Sequence, residues 1–491
     1  PVNIISTLII HLPQIYFVLN HKISRKYLTL FKSVSSLTWG IFVIFLLWIV
    51  NLIGGTPSLG PYDSGLYHLP IINWINNYKI IKGLANLSID YGINSNLFLL
   101  ISITKNYPQF YSFLWSFNGV FLCIGFFSFF CIPIEFIIHK KNCLREIFFR
   151  LILTIPLVHY AFYFFPGTST DLPVFILGAI TAIEFFLFLK DDKRSGQLIP
   201  ILIFLGISIK ISFLVMGVST LIIYLIILEI RNKLISQFNF SKLFIIMIVS
   251  SLIWVTRGVI ISGYPFLPIS AISMPVPWRA DLNTVDESKD FVVNYSIRNE
   301  NNKFIDKLLN HELYSTRLLN QHRKIEMYYP LLFGILGMLF AIMLRKKLDI
   351  IILIPILAQM LLWLYVPKNR YSSSAAWWFC AHYLSVHLDK INFNKYVYYI
   401  PIAIFIISIS FHKIDQLGRV NTFFRKLEKK EIPQVILNTF ETDSGLKIFY
   451  TNLPEDRCYD VNLLCTPYPK KNLTLFDNND LSKGFFLSDK D

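Results

Sequence analysis

The chain has 491 residues, 54% of them hydrophobic and only 16% charged, with a formal net charge of +15. A water-soluble protein carries about 25% charged residues, so the composition excludes an ordinary soluble domain. The mean hydropathy is +0.52, and the excess Lys and Arg lie between the apolar runs. Membrane orientation therefore accounts for the charge better than nucleic-acid binding does.

Apolar runs of roughly 17 or more residues recur, each long enough to cross about 30 Å of hydrocarbon as a helix. Lipid tolerates only internally bonded backbone, so the fold class expected is an all-α polytopic membrane protein with about 11–12 spans. Spans are expected at roughly 1–19, 34–54, 111–138, 145–165, 172–190, 198–209, 212–229, 243–262, 328–344, 349–366, 371–388 and 397–412. The first residues already read as a span without a cleavable signal, so the chain is expected to be truncated at its start.

Six basic clusters set the orientation: Lys22 to Lys32, Lys140 to Arg145, Lys193 and Arg194, Arg231 to Lys242, Arg345 to Lys347, and Lys390 with Lys395. All fall on one side, the cytoplasm, if 198–229 crosses twice as two short helices broken near Lys210. The opposite face then receives 55–110, 166–171, 263–327 and the tail. Residues 1–412 form the membrane domain and 413–491 a small extracytoplasmic C-terminal appendage.

In the first outer loop, Tyr67, Ile71, Trp74, Ile75, Tyr78 and Ile81 recur at helical spacing. Such a face suits a helix lying in the membrane interface, and Leu97 to Ile103 is expected to lie there too. In the tail, Cys458 and Cys465 can pair as a disulfide outside the cytoplasm. Cys123, Cys131, Cys143 and Cys380 read as small packing residues, and no Cys/His spacing suggests zinc.

Asp63 is the sharpest candidate for chemistry. A carboxylate just outside a span can take a proton from an acceptor hydroxyl; the dipeptide alone favours Asp63 or Ser64 as a cap of the interfacial helix, a role compatible with the first. Asp171, in Thr168-Ser169-Thr170-Asp171-Leu172-Pro173, is a second carboxylate able to hold a divalent cation or orient the substrate, or else Thr170 or Asp171 caps the next span. Sequence alone favours the cap, with Pro173 in the first helical turn. Lys210 interrupts an apolar stretch and is a functional candidate for its cost at that depth; a snorkelling lysine is the plainer account. Arg257 and Arg370, beside Tyr371, face outside against the usual bias. A guanidinium there suits a phosphate or anchors the interface. His68 is a candidate only through its proximity to Asp63. No Gly-rich phosphate loop with a following Lys is present.

An apolar span followed by a loop with an early Asp, a second acidic loop two spans later, and basic residues on the outer ends of later spans resembles the GT-C class of integral-membrane glycosyltransferases. These use polyprenyl-phosphate-linked sugars. Tyr62-Asp63 to Asn86-Leu87, Arg257 to Pro268, Asn369-Arg370-Tyr371 and Cys458 to Pro469 look like an uncharacterised bacterial membrane-protein family of that architecture. The resemblance implies Asp63 as catalytic base or metal-associated residue, with Asp171 as the second-loop acid and His68 nearby. It implies Arg257, Arg370, Lys210 and Tyr371 around the donor phosphate, and a divalent cation (Mg or Mn) at Asp63 and Asp171 as the cofactor. The class often pairs two acids in the first loop, whereas here Ser64 follows Asp63. The partners implied are a polyprenyl-phosphate sugar donor, a glycan or lipid acceptor and the lipid bilayer, with no nucleic acid. The location implied is the bacterial inner (plasma) membrane with the active face periplasmic.

Two other readings remain open. A transporter or flippase for a lipid-linked or anionic solute would show broken helices in corresponding halves, and only the break at Lys210 is visible. A surface-polysaccharide polymerase or ligase would depend on the loop at 263–327, which holds Arg279, Arg298, His311, Arg317, His322 and Arg323.

Overall fold

The computed structural model describes residues 34–55, 62–105, 117–141, 143–164, 167–190, 196–231, 240–297, 324–345, 349–366 and 368–388, and most of 397–407, 435–451, 457–461, 464–477 and 480–488. The span expected at 1–19 and the end of the one at 397–412 lie outside these residues, as do Arg298, His311, Arg317, His322 and Arg323.

The described chain is mostly helical. Among the described residues, five helices are long and apolar enough to cross a membrane: Phe117–Ile138, Asp171–Leu189, Ile211–Ile230, Ile245–Ser262 and Ile325–Met343. In chain order the helices longer than one turn are α1 (Ser36–Gly55), α2 (Leu69–Asn77), α3 (Asn96–Lys105), α4 (Phe117–Ile138), α5 (Leu144–Ile152), α6 (Thr154–Phe164) and α7 (Asp171–Leu189). Next come α8 (Ile199–Ile209), α9 (Leu214–Ile230), α10 (Phe240–Ser262), α11 (Leu282–Ile297), α12 (Tyr329–Met343), α13 (Leu353–Tyr365) and α14 (Asn369–Ser385).

Two breaks organise the bundle. The break expected near Lys210 is present: Lys210 is extended (φ −151°, ψ 122°) between α8 and a short 3-10 turn leading into α9. The two helices fold back as a hairpin. A Cβ on Gly206 would meet the Phe213 ring, and one on Gly217 would meet Ile203. The other break was not expected. The span drawn at 145–165 is divided at Leu153 into α5 and α6. Pro156 has no N–H to give the carbonyl four residues earlier, and Leu153 instead bonds back to Arg150 at 3.1 Å.

At the centre is α14, whose first turns carry Ser372, Ser373, Ser374, Ala375 and Ala376, all buried. Small residues let helix backbones approach where no water drives them together. Gly178 of α7 faces Ser374 so closely that a Cβ would lie 2.7 Å from that side chain, and Gly337 of α12 lies against the Tyr383–Leu384 backbone.

The tail forms two antiparallel hairpins, β1 (Leu437–Glu441) with β2 (Lys447–Thr451), and β3 (Leu473–Leu475) with β4 (Phe485–Leu487). It does not stand apart. Ile448, Leu473, Leu475 and Phe485 belong to the main apolar core. Phe485 N–H donates to the Lys82 carbonyl and Tyr459 N–H to the Gly65 carbonyl, each at 2.9 Å. Tyr91 donates its hydroxyl proton to the Cys465 carbonyl at 2.9 Å. Cys458 and Cys465 form the disulfide. Of the other cysteines, Cys131 and Cys380 are buried and Cys123 and Cys143 half-buried.

This packing corrects the interfacial reading of the first loop. The helix ends at Asn77, and Ile71 and Trp74 are buried by protein, Trp74 being 3% exposed and edge-on to Phe485 at 5.8 Å. In α3, Leu97, Phe98 and Ile101 are likewise buried. An amphipathic face reports that something apolar covers it, and here that cover is the chain's own.

Candidate functional site

Four of the residues singled out in the sequence meet at one end of the bundle. Asp171 opens α7, Lys210 is the tip of the α8–α9 hairpin, Arg370 lies in the first turn of α14, and Asp63 immediately precedes a π-helical turn, Ser64–His68, that feeds α2. Asp171 holds Lys210 Nζ on Oδ1 and Arg370 Nη1 on Oδ2, the latter at 3.1 Å. Arg370 Nη2 reaches Asp63 Oδ2 at 3.8 Å. The tip of the hairpin is fixed from beside it: Gln359 accepts from Met216 N–H and donates to the carbonyls of Ser212 and Tyr371.

The capping readings fail for both carboxylates. Asp63, at the start of its turn, makes no side-chain cap hydrogen bond, and Asp171 is already the first helical residue of α7, behind Thr170, which makes none either. Ser169 Oγ accepts from Asp171 N–H and donates to Asp171 Oδ2 at 3.3 Å, which turns the carboxylate toward the cations. Side-chain exposure then grades the cluster, from 4% for Asp171 through 18% for Lys210 and 27% for Arg370 to 33% for Asp63. Asp171 is the buried counterion and Asp63 the accessible acid. Lys210 has three N–H donors and Arg370 five, so both keep donors to offer an oxyanion while Asp171 sets their spacing. Tyr371 lies beneath three cations, with Lys210 Nζ at 4.7 Å, Lys368 Nζ at 5.7 Å and the Arg370 guanidinium at 5.9 Å from its ring centre.

His68 backs the π turn. Thr168 donates to Ser64 Oγ at 3.1 Å, so toward His68 Nδ1, 2.9 Å away, it acts as acceptor and the ring carries its proton there. Burial pulls the His68 pKa down to about 4, and the cations Lys210 and Arg370 add to that against Asp63 and Asp171. His68 is therefore a neutral prop for the turn at pH 7 rather than a charged partner of Asp63.

One acid was missed. Asp90, in the 3-10 turn Ile89–Gly92, has its pKa pushed up to about 6 by burial first and by Asp63 second, with Lys368 opposing. It lies in a polar loop, where an Asp carries no signal in a hydropathy pattern. Arg257 is the opposite case. It is buried but does not join the cluster: its guanidinium donates to the Asn94 carboxamide oxygen. Asn94 is itself locked to α10, giving its Nδ2 proton to the Trp254 carbonyl and accepting from Trp254 Nε1 at 3.1 Å.

The expected divalent site does not fit these residues. Both oxygens of Asp171 face cationic side chains and Arg370 also bridges to Asp63, so a metal would have to displace Lys210 or Arg370. Among the described residues no group of three or more His, Cys, Asp and Glu side chains is placed to hold a metal ion.

The far end of the bundle carries a different set. Arg231, after α9, donates to the Phe188 and Leu189 carbonyls that end α7. Arg145 pairs with Asp349 at 3.4 Å beside His382. The acid–base cluster and these basic groups are thus at opposite ends of the same helices.

A family model described as a domain of unknown function (DUF8201) matches residues 1–377. The chain belongs to this family. No curated protein and no solved structure matches it. The DUF8201 match spans Asp63, His68, Asp90, Asp171, Lys210, Arg370 and Tyr371, and stops short of the tail with its disulfide.

Proposed function

We propose that this DUF8201 protein is a polytopic inner-membrane glycosyltransferase that moves a sugar from a polyprenyl-phosphate donor to an acceptor hydroxyl on the periplasmic side. The observation that carries this reading is the meeting of Lys210, Arg370, Asp171 and Asp63 at one end of an apolar bundle, with Arg145 and Arg231 at the far end. Positive-inside orientation would put Arg145, Lys190 and Arg231 in the cytoplasm and the cluster outside.

In this mechanism the donor phosphate lies against Lys210 and Arg370. Both cations are in place before reaction and stabilise the charge that develops on the leaving phosphate. Asp63 takes the proton of the acceptor hydroxyl. The acceptor oxygen bonds to the anomeric carbon from the opposite face, and the carbon–oxygen bond to phosphate breaks with its electron pair going to phosphate. A single displacement inverts the centre. Asp171 touches no reacting atom; it is a positioning residue for the two cations. The carrier is already activated, so no step needs a nucleotide.

The test separates binding from chemistry. In the full chain in nanodiscs, decaprenyl phosphate should bind wild type and Asp63→Asn alike. Arg370→Ala and Lys210→Ala should each weaken binding by about tenfold or more, the loss of a charged hydrogen bond worth roughly 1.5–3 kcal/mol. Transfer of labelled hexose from a polyprenyl-phosphate donor should vanish in Asp63→Asn. Phosphate binding indifferent to Lys210 and Arg370, or solute exchange across the bilayer with no transfer, would refute the proposal; the second outcome would favour a flippase.

A further inference from the structure

A second site lies on the same side of the molecule, where three chain segments far apart in sequence meet. Gly83 and Gly484 make the meeting possible. Both have left-handed backbone (φ 62° and 102°), a Cβ on Gly83 would lie 2.1 Å from the Phe485 carbonyl oxygen, and one on Gly484 would lie 2.3 Å from that of Lys82. Gly83 N–H is bonded to the Ile260 carbonyl near the end of α10, and Asn86 Nδ2 gives its protons to the carbonyls of Trp278 and Phe485. Over this backbone floor is a cavity of about 310 Å³ lined by Lys82, Pro277, Trp278, Phe476, Asp477 and Lys483.

The lining has a definite chemistry. The Trp278 indole N–H is committed to the Val259 carbonyl at 3.0 Å, which fixes the ring. Lys82 Nζ stands over that ring, 5.4 Å from its centre. Phe476 is 43% exposed and packs against Phe486 with ring centres 4.7 Å apart. Aromatic plates, two lysine ammoniums and one carboxylate are the partners an acidic saccharide offers surfaces to: its ring C–H faces stack, its carboxylate meets Lys82 or Lys483, and a hydroxyl can donate to Asp477. The volume is that of a small-molecule site.

We infer that this cavity binds an acidic saccharide. Resting on the transferase reading, this saccharide is a remote part of the acceptor glycan, held away from Asp63 so that its binding orients the reacting hydroxyl. The tail connects the two places directly, since Phe485 bonds to Lys82 and Tyr459 to Gly65.

The experiment measures saccharide binding alone, in the full chain in nanodiscs, with tetragalacturonate as probe and maltotetraose as its neutral counterpart. Tetragalacturonate should bind, with affinity falling as salt rises, and maltotetraose should bind more weakly. Lys82→Gln with Lys483→Gln should weaken tetragalacturonate binding on the order of tenfold and leave maltotetraose unchanged. Trp278→Phe keeps a plate and should retain more binding than Trp278→Leu. The inference is overturned if the double lysine variant binds tetragalacturonate as wild type does, if the neutral sugar binds equally well, or if phosphatidylglycerol vesicles alone show the lysine dependence. Asp63→Asn and Arg370→Ala serve as controls. Normal tetragalacturonate binding in variants that lose transfer keeps this inference separate from the fate of the donor site.

Discussion

Asp171 and Asp63 are two acids in one cluster with different work, and substitution should separate them. Asp171 is buried and holds two cations. Removing one partner of such a group leaves uncompensated charge, a loss of about 3–5 kcal/mol, so Asp171→Ala should lower the unfolding midpoint of the purified chain markedly. Asp63 is more exposed and meets Arg370 only at 3.8 Å; Asp63→Asn should cost less than about 1 kcal/mol. The two titrating neighbours act in opposite directions. His68 is held neutral, with its pKa lowered to about 4, so its stabilisation is present above pH 6.5 and lost as pH falls toward 4. Asp90 has its pKa raised to about 6 by burial, so its contribution is present at low pH and lost as pH rises from 4 to 6. In thermal melts from pH 4 to 7, His68→Gln should flatten the acid limb and Asp90→Asn should remove the loss above pH 4. Lys210 was visible in the sequence because a charge in an apolar stretch is costly, Asp171 as an acid in an outer loop, and Arg370 as a cation outside against the usual bias. The separation of Arg257 from the cluster was not legible, since its neutral partner Asn94 comes from a loop 163 residues away in the chain, and periodicity says nothing about such pairs.

At the scale of elements, the π turn after Asp63 is held from outside. A Cβ on Gly65 would come within 2.5 Å of the Tyr459 ring, and Arg457 stacks over both Tyr62 and Tyr459 at 5.0 and 4.9 Å. Gly65→Ala should therefore destabilise the chain by about 1–3 kcal/mol, and Tyr459→Ala should recover part of that loss. The coupling read from the double-mutant cycle checks the contact; simple additivity would contradict it. Helix positions, the break at Lys210 and the side on which candidate residues gather were legible, since each derives from hydropathy and from where charges interrupt it. The split at Leu153 was legible in principle, from Pro156. The fate of the first-loop helix was not, because lipid and the apolar side of a small sheet look alike to an amphipathic pattern.

At the scale of the molecule, the tail is part of the core rather than an attachment. The Cys458–Cys465 bridge closes a short loop that seats Tyr459 on the first loop and offers the Cys465 carbonyl to Tyr91. Opening it with Cys458→Ser and Cys465→Ser should cost about 2–3 kcal/mol, and hydrogen exchange should rise at 63–78 as well as in the tail. Exchange confined to the tail would mean the two parts are independent. Residues about 400 positions apart make these contacts, and no local pattern announces them. Synthesis runs from the first residue to the last, so all fourteen named helices, α1 to α14, emerge before β1 does. Trp74, Tyr91 and the turn behind Asp63 nevertheless get their cover from the tail. A nascent chain halted ahead of Arg457 would have all of those helices made and still carry an unfinished, greasy rim around its acid, an obvious place for a chaperone or a protease to act.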